Sequence, residues 1–270
     1  MPALPSFEAP PLVEVAISTQ FNELPNLKPV HFGLLWERLR DRYPITEHHP
    51  PVGSAVELFG ASGFQRVSMN IESGFPVGRC WYMTEDRSRL IQLQANRFAL
   101  NWRKIDDAAQ YPRYEVLREQ FQDELAILLQ FFDDESLGEF EPTQCEVTYV
   151  NQLPAGEGWT VKNELPRILA PWSGATTESY LPDLEDASLA WQYRFDNGKT
   201  PLGRLHVQLN SAVRKDGVSL FVLQLVARGG PVGEGVEGVL EFTDHAHEWI
   251  VNGFTAITTR DMHDLWKREQ

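Results

Sequence analysis

The stretch LIQLQANRFALNWRK, residues 90–104, carries the pattern on which the fold prediction rests. One alternating apolar set precedes position 96 and a set of opposite parity follows it: Ile91, Leu93 and Ala95, then Phe98, Leu100 and Trp102. In a continuous strand this change of phase would turn one of the two sets to solvent. A tight turn near Asn96–Arg97 removes the conflict, because asparagine favours such turns. The stretch therefore predicts a β-hairpin, with a continuous strand that contains a β-bulge as the alternative.

Strands and helices follow in the same order in the two halves of the chain. Around the hairpin, the first half predicts a strand at 12–21, an amphipathic helix at about 31–43, strands at about 65–72 and 79–85, and a helix from about 112. The second half predicts a strand at 145–153, a short or broken helix at 162–172, three strands separated by the turn signals Asn197–Gly198 and Asp216–Gly217, a glycine-rich loop at 229–238, and a helix at 242–267.

This order predicts an α+β fold made of two β-α-β-α repeats, each with three or four strands after its first helix. We expect antiparallel sheet with helices packed on one face, in the element order of the TATA-binding protein, an analogy that implies nothing about DNA. The expected organisation is an extended tail at 1–11, a first repeat at 12–141 and a second at 142–270, with both repeats fused into one compact domain. The repeat is inferred from element order, since residue identity between the halves is poor.

Composition constrains the setting and the partners. The chain has 38 acidic and 24 basic residues, a net charge of −14, which disfavours binding to nucleic acid and to anionic membranes. No apolar run approaches the roughly 20 residues that cross a bilayer, and the N-terminal stretch lacks the layout of a signal peptide. Cys80 and Cys145 lie in strand-like runs and predict buried free thiols, so we expect a cytoplasmic protein.

Charge is unevenly distributed along the chain. No lysine or arginine occurs from 119 to 161, a stretch with ten carboxylates. The ordinary interpretation is a solvated acidic helix and loop, and the sharper one is an acidic face for a basic partner. On the sharper interpretation, the candidate partner-binding residues are Asp133, Asp134 and Glu135.

The hairpin supplies a second candidate surface, because arginine and tryptophan dominate interface hot spots. Its candidate partner-binding residues are Arg97, Asn101, Trp102 and Arg103. Together with Gln92 and Gln94, the polar members would line one sheet face, as a groove for a peptide or ligand requires. In the alternative interpretation Trp102 belongs to the core and Arg103 pairs with a carboxylate of the next helix. We expect Asn101 and Arg103 to face that helix.

Signatures of catalysis or metal binding do not stand out in the sequence. FGASG (59–63) lacks the Lys-Ser/Thr of a phosphate-binding loop. His245 and His247 are two positions apart and, on a regular helix, cannot share one metal ion. Thr243 or Asp244 is expected to cap the last helix. We therefore assign no catalytic residue, no metal site and no cofactor, and the sequence leans away from an enzyme.

Three stretches carry a resemblance to a known family: PPLVEVAISTQF (10–21), LIQLQANRFALNWRK with the following YPRYEVLREQF (111–121), and AHEWIVNGFTAITT (246–259). In these the chain resembles a sporadically distributed family of bacterial and archaeal proteins of about this length, which has no established activity. The resemblance implies a two-repeat α+β protein and brings no catalytic residues. Its patchy distribution is typical of mobile, defence-associated or toxin–antitoxin genes.

These patterns favour a non-enzymatic protein-binding or regulatory module. The expected partner is a neighbouring gene product of a defence or toxin–antitoxin-type locus, or a second copy of the chain. The alternative is a small-molecule-binding or enzymatic domain with an aromatic-lined pocket between sheet and helices. That pocket is expected near Trp81, Trp102, Trp191 or Tyr193. A third hypothesis, nucleic-acid binding through the arginines near the hairpin, is opposed by the net charge.

Overall fold

The computed structural model describes residues 3–59, 78–106, 109–174, 180–198 and 200–269. Its strands are β1 (Leu12–Phe21), β2 (Ile45–His49), β3 (Arg79–Met83), β4 (Arg89–Gln94), β5 (Arg97–Arg103), β6 (Pro142–Pro154), β7 (Ser188–Asp196), β8 (Pro201–Val213) and β9 (Ser219–Gly229). Its helices are α1 (Pro29–Leu39), α2 (Tyr114–Asp134), α3 (Gly235–Ile257) and α4 (Arg260–Leu265), with a 3-10 helix at Lys162–Arg167. The strand predicted at 65–72 and most of FGASG lie outside the described residues.

The predicted hairpin is confirmed. β4 and β5 pair antiparallel around a turn at Ala95–Asn96, one residue before the predicted position. Ile91 lies opposite Leu100 and Leu93 opposite Phe98, so the two apolar sets of opposite parity share one face of the sheet. The alternative of a continuous, bulged strand is wrong.

All nine described strands form one open antiparallel sheet in the order β2-β3-β4-β5-β1-β6-β9-β8-β7. β1 and β6 are the first strands of the two halves and pair with each other at the centre, with Ile17 opposite Val147. The α+β class with an antiparallel sheet, predicted from the sequence, is therefore confirmed.

The described helices pack on the face of the sheet that carries the apolar rows. The ring of Phe121 on α2 lies 5.6 Å from that of Phe98 on β5. In the second half of the chain, the ring of Trp249 on α3 stacks on that of Phe195 on β7, with centroids 4.3 Å apart. α1 covers β3, where the hydroxyl of Tyr82 donates to a backbone carbonyl of α1 at 3.0 Å. Burying apolar side chains on one face leaves the opposite face to the alternate, mostly polar residues.

The last helix differs from its prediction at both ends. It begins at Gly235, seven residues before the predicted start at 242, and Glu234 is its N-cap. Thr243 and Asp244 therefore lie inside α3, and the expected cap there is wrong. Position 238 requires glycine because the loop before α3 passes close to the first turn of this helix. A Cβ at position 238 would lie 2.7 Å from the backbone of Gly233. Extended dihedrals at Thr258 (φ −97°, ψ 155°) separate α4 from α3.

Three further features concern the tail, the thiols and the helices. Phe7 of the N-terminal tail forms a β-bridge with Arg268 and packs edge-on against Phe254 at 5.6 Å. Cys80 and Cys145 are buried free thiols, as predicted. Within the described ranges no helix is long and apolar enough to cross a bilayer.

Candidate functional site

The side chains opposite the helices form a second face of the sheet, which we call the polar face. Cross-strand register joins one of its rows from β3 to β8: Trp81, Gln92, Ala99, Ser18, Glu146, Arg228 and Arg204. Its strands contribute the charged residues Arg79, Arg97, Arg103, Arg194, Arg204 and Arg228, with Glu14, Glu47, Glu146 and Asp196. Arginine thus outnumbers carboxylate on this face of a chain whose net charge is −14.

The structure brings three of the four hairpin candidates onto the polar face and places the fourth on the other side. Trp102 is 2 % exposed and packs in the core, with its ring 5.4 Å from that of Tyr111. Asn101 accepts from Gln92 at 2.8 Å and donates to Glu14 at 2.6 Å.

Arg103 also lies on the polar face. Its guanidinium donates to the backbone carbonyl of Arg87 at 3.2 Å and lies 5.6 Å from the ring of Trp81. The expectation that Asn101 and Arg103 face α2 is therefore wrong. The physical reason is the strand alternation itself, which sends Trp102 toward the helices and its two neighbours away from them.

Four buried side-chain nitrogen atoms among the described residues have no hydrogen-bond partner, and all four belong to the polar face. They are Nε of Arg79, Nε of Arg97, Nε of Arg103 and Nε1 of Trp81. All four side chains are half-buried, and the guanidinium of Arg79 lies 5.3 Å from the indole ring of Trp81. A buried donor without a partner costs about 1–3 kcal/mol, so four on one surface form a local excess of N–H donors.

Arg97 lies near two further arginines of the polar face, Arg79 and Arg228. Burial lowers the pKa of Arg97, and the neighbouring Arg228 and Arg79 act in the same direction, while Glu146 opposes them. A guanidinium nevertheless stays charged at any physiological pH. Arg97 is thus a partly desolvated cation beside two other cations, an arrangement that an additional anion would stabilise.

An extended segment of the chain itself lies on one end of the polar face; we call residues 50–59 the strap. Three glutamines at the ends of β4, β1 and β6 hold its backbone at 2.8–3.0 Å: Gln94 bonds Val52, Gln20 bonds Ala55 and Gln144 bonds Glu57. The Gln94 amide both donates to and accepts from the Val52 backbone. The polar face therefore already binds extended polypeptide through side-chain amides.

Near its end the strap carries a carboxylate that is held by two arginines and a histidine. Glu57, whose side chain is 3 % exposed, pairs with Arg204, with His206 at 2.5 Å and with Arg228 at 3.5 Å. Burial by itself raises the pKa of Glu57, but the hydrogen bonds from His206 and Arg204 together outweigh it and leave that pKa below its ordinary value. Glu57 is thus bound as an anion.

The acidic candidates lie elsewhere, at the end of α2 on the helix side of the sheet. Arg38 of α1 forms ion pairs with Asp134 at 2.6 Å and with Glu135 at 3.8 Å, and Asp133 is exposed. The structure does not bring them together with the hairpin residues. Asp134 and Glu135 thus form ion pairs that join the end of α2 to α1.

Sequence reasoning missed Arg204, Arg228 and Glu57 as members of the site. The signal for the two arginines of the second half was available, because Arg204 alternates with the core residues of β8 and Arg228 with those of β9. For Glu57, which lies outside any strand, no periodic signal exists. The described residues contain no group of three or more His, Cys, Asp or Glu side chains that could hold a metal ion.

A polar, arginine-rich sheet face with an extended strap defines a candidate binding surface. Comparison of the chain with models of known protein families gives no match. Comparison with curated proteins likewise gives no significant match.

Proposed function

We propose that the protein is a non-enzymatic binding module whose polar face binds an acidic, extended segment of a partner protein. The observation that carries this proposal is the set of four unpartnered N–H donors of Arg79, Trp81, Arg97 and Arg103 on one surface. Carboxylates are the acceptors that guanidinium groups bind most strongly, through short, charge-assisted hydrogen bonds. An incoming acidic side chain would bind the accessible ends of these half-buried guanidinium groups and relieve the crowding of cations around Arg97.

The strap supports both parts of the proposed ligand. Its backbone is held by Gln94, Gln20 and Gln144, which favours an extended main chain as the ligand. Its Glu57 carboxylate binds between Arg204, His206 and Arg228, which favours an acidic side chain on that main chain. A partner segment of the same chemistry would lie beside the strap, along the row that runs from Trp81 to Glu146.

At the level of the whole chain, we infer two tandem repeats, 12–141 and 142–270, arranged as in the TATA-binding protein. The central pairing of β1 with β6 and the outward order of the remaining strands support this inference. We further propose membership of the sporadically distributed prokaryotic family described above. A cytoplasmic setting is supported by the two free thiols. The proposed partner is a product of a neighbouring gene in a defence or toxin–antitoxin-type locus.

Co-expression with each neighbouring gene product tests the proposal. We expect one product to copurify with the wild-type protein and to be lost when Arg79→Gln, Arg97→Gln and Arg103→Gln are combined. These changes remove three positive charges from the polar face and keep polar side chains that can still form hydrogen bonds. A loss of one well-formed charged pair costs about 2–5 kcal/mol of binding, so three changes should abolish copurification.

The matched control combines Arg40→Gln, Lys215→Gln and Arg260→Gln, which are exposed and lie away from the polar face. It alters the net charge by the same amount, so a general electrostatic effect would reduce copurification in both triple variants. The proposal is wrong if no neighbouring product copurifies, or if the partner binds equally well to the polar-face variant in its folded form.

A further inference from the structure

A cavity of about 350 Å³ lies on the helix side of the sheet, where the two halves of the chain meet. The N-terminal tail, the start of α2, the middle of α3 and the centre of β6 surround it. Its aromatic lining comes from Phe7, Tyr111, Tyr114, Tyr149 and Phe254. A volume of this size lies in the range of about 300–1,000 Å³ that small-molecule sites occupy.

Three polar groups in the wall of the cavity are joined into one hydrogen-bonded chain. The hydroxyl of Tyr111 lies 2.9 Å from that of Tyr149, which lies 2.9 Å from Nδ1 of His247. These groups carry three protons, one on each tyrosine hydroxyl and one on the neutral imidazole. The two internal hydrogen bonds use two of the three. Whichever direction the bonds take, one N–H or O–H remains for an acceptor outside the chain.

Neighbouring contacts hold the imidazole of His247 in place. Its ring stacks on that of Tyr114 with centroids 4.0 Å apart and planes 5° apart. The hydroxyl of Tyr114 donates to Asp244 at 2.8 Å. Arg118 donates to both oxygens of the same carboxylate, each at 3.1 Å. The polar groups are therefore pre-positioned before any ligand arrives, which lowers the entropic cost of binding.

The inner polar groups of the cavity are uncharged. Burial lowers the pKa of His247 to about 4, against the opposing effect of Glu115 and Asp244, so the ring is neutral at pH 7. Burial likewise raises the pKa of Tyr149 and of Tyr111, which keeps both hydroxyls protonated. The charged lining residues, Arg113 and Glu115, have opposite signs. Because these two charges offset each other, the lining offers a charged ligand no net counter-charge.

The backbone of Arg113, which lines the cavity, is strained. It has a positive φ of 77°, which is costly for a residue with a side chain, and its guanidinium donates to the carbonyl of Phe7 at 3.2 Å. Strained backbone of this kind concentrates at ligand sites, where the surrounding structure holds it. The strained residue thus ties the N-terminal tail over the cavity.

We propose that this cavity is a binding site for a small, flat, uncharged organic molecule that carries a hydroxyl or carbonyl oxygen. The ring of the ligand would lie among Phe7, Phe254 and the tyrosines, and its oxygen would accept a hydrogen bond from the N–H or O–H that the Tyr111–Tyr149–His247 chain leaves unused. The site is separate from the proposed partner-binding surface, because the sheet lies between the cavity and the polar face. Its presence or absence therefore leaves the proposed function untouched.

Fluorine NMR with three related probes tests the proposal on the full chain. The probes are 4-fluorophenol, fluorobenzene and 4-fluorobenzoate, which share one ring and differ in hydroxyl and charge. We expect saturable binding of 4-fluorophenol, binding of fluorobenzene that is weaker by about tenfold, and no saturable binding of the anion. Absence of saturable 4-fluorophenol binding, or tighter binding of 4-fluorobenzoate, overturns the proposal.

Two variants locate the bound probe. Val251 lines the cavity and is half-buried, so Val251→Trp should fill the space and weaken 4-fluorophenol at least tenfold. Val161→Trp, at an exposed position, is the matched control and should change nothing. Tyr149→Phe keeps the aromatic ring and removes only the hydroxyl. We expect it to weaken the binding of 4-fluorophenol about tenfold and to leave the binding of fluorobenzene unchanged. Equal losses for both probes in Tyr149→Phe, or none for 4-fluorophenol in either variant, contradict the assignment.

Discussion

Replacing Glu57 with alanine is expected to lower the free energy of unfolding by about 3–5 kcal/mol, the usual cost of removing one partner from a buried ion pair. The change leaves Arg204, His206 and Arg228 without the carboxylate that joins them, although Arg228 keeps Glu146 at 2.5 Å. It also removes the side chain that anchors the end of the strap. Urea denaturation measures the loss, and hydrogen exchange should show faster opening at the strap than elsewhere.

The effect of Glu57 depends on pH in a defined direction. Its pKa in the folded protein is below the ordinary value of about 4, so the unfolded chain binds the proton more readily. The stabilisation is therefore complete above about pH 5, where Glu57 is ionised in both states, and is lost as the pH falls through the lower, folded-state pKa. We expect the difference between wild type and Glu57→Ala to shrink below about pH 5. Glu157→Ala, at an exposed position, is the control and should stay within about 0.5 kcal/mol of wild type.

Gly229→Ala is the second large effect, and we expect it to destabilise the protein by about 3 kcal/mol or more, the upper end for overpacking. Gly229 lies opposite Gly203 across β8 and β9, under the rings of α3. A Cβ at Gly229 would lie 2.1 Å from the carbonyl oxygen of Leu202 and 2.6 Å from the ring of Phe242. The backbone oxygen cannot move away without breaking the strand pairing.

Gly33→Ala is the matched control for the glycine prediction. Gly33 lies within α1 and its added Cβ would meet no atom within 4 Å. Alanine there should stabilise the helix by about 0.5–1 kcal/mol. Thermal and urea unfolding of the two variants should thus change in opposite directions. A Gly229→Ala protein as stable as wild type would show that β8 and β9 are less closely packed under α3.

The sequence predicted most of the described strands because their signal is local. The parity change at 90–104 located the hairpin, and the Asn-Gly and Asp-Gly pairs located the turns that join β7, β8 and β9. The start of α3 was not predictable in the same way. Gly235 and Gly238 are typical of a loop, and only the close approach of Gly233 explains why glycine belongs in that helix.

The candidate site depended on information that no single segment carries. The polar face joins residues from all nine described strands, and its cross-strand register follows from the order of the whole sheet. Trp102 was grouped with its neighbours Asn101 and Arg103 although alternation places it on the other face. The Tyr111–Tyr149–His247 chain joins three distant positions, and nothing in their local sequences indicates the contact.

The most direct test of the polar face is a titration with a labelled peptide in which glutamate and threonine alternate, followed by fluorescence anisotropy. Such a peptide is acidic and favours extended backbone. We expect saturable binding that weakens as salt rises, at least tenfold weaker binding to Arg97→Gln, and unchanged binding to Arg40→Gln. Contradictory results would be no saturable binding, equal binding by Arg97→Gln, or tighter binding of a lysine–threonine peptide or of single-stranded DNA.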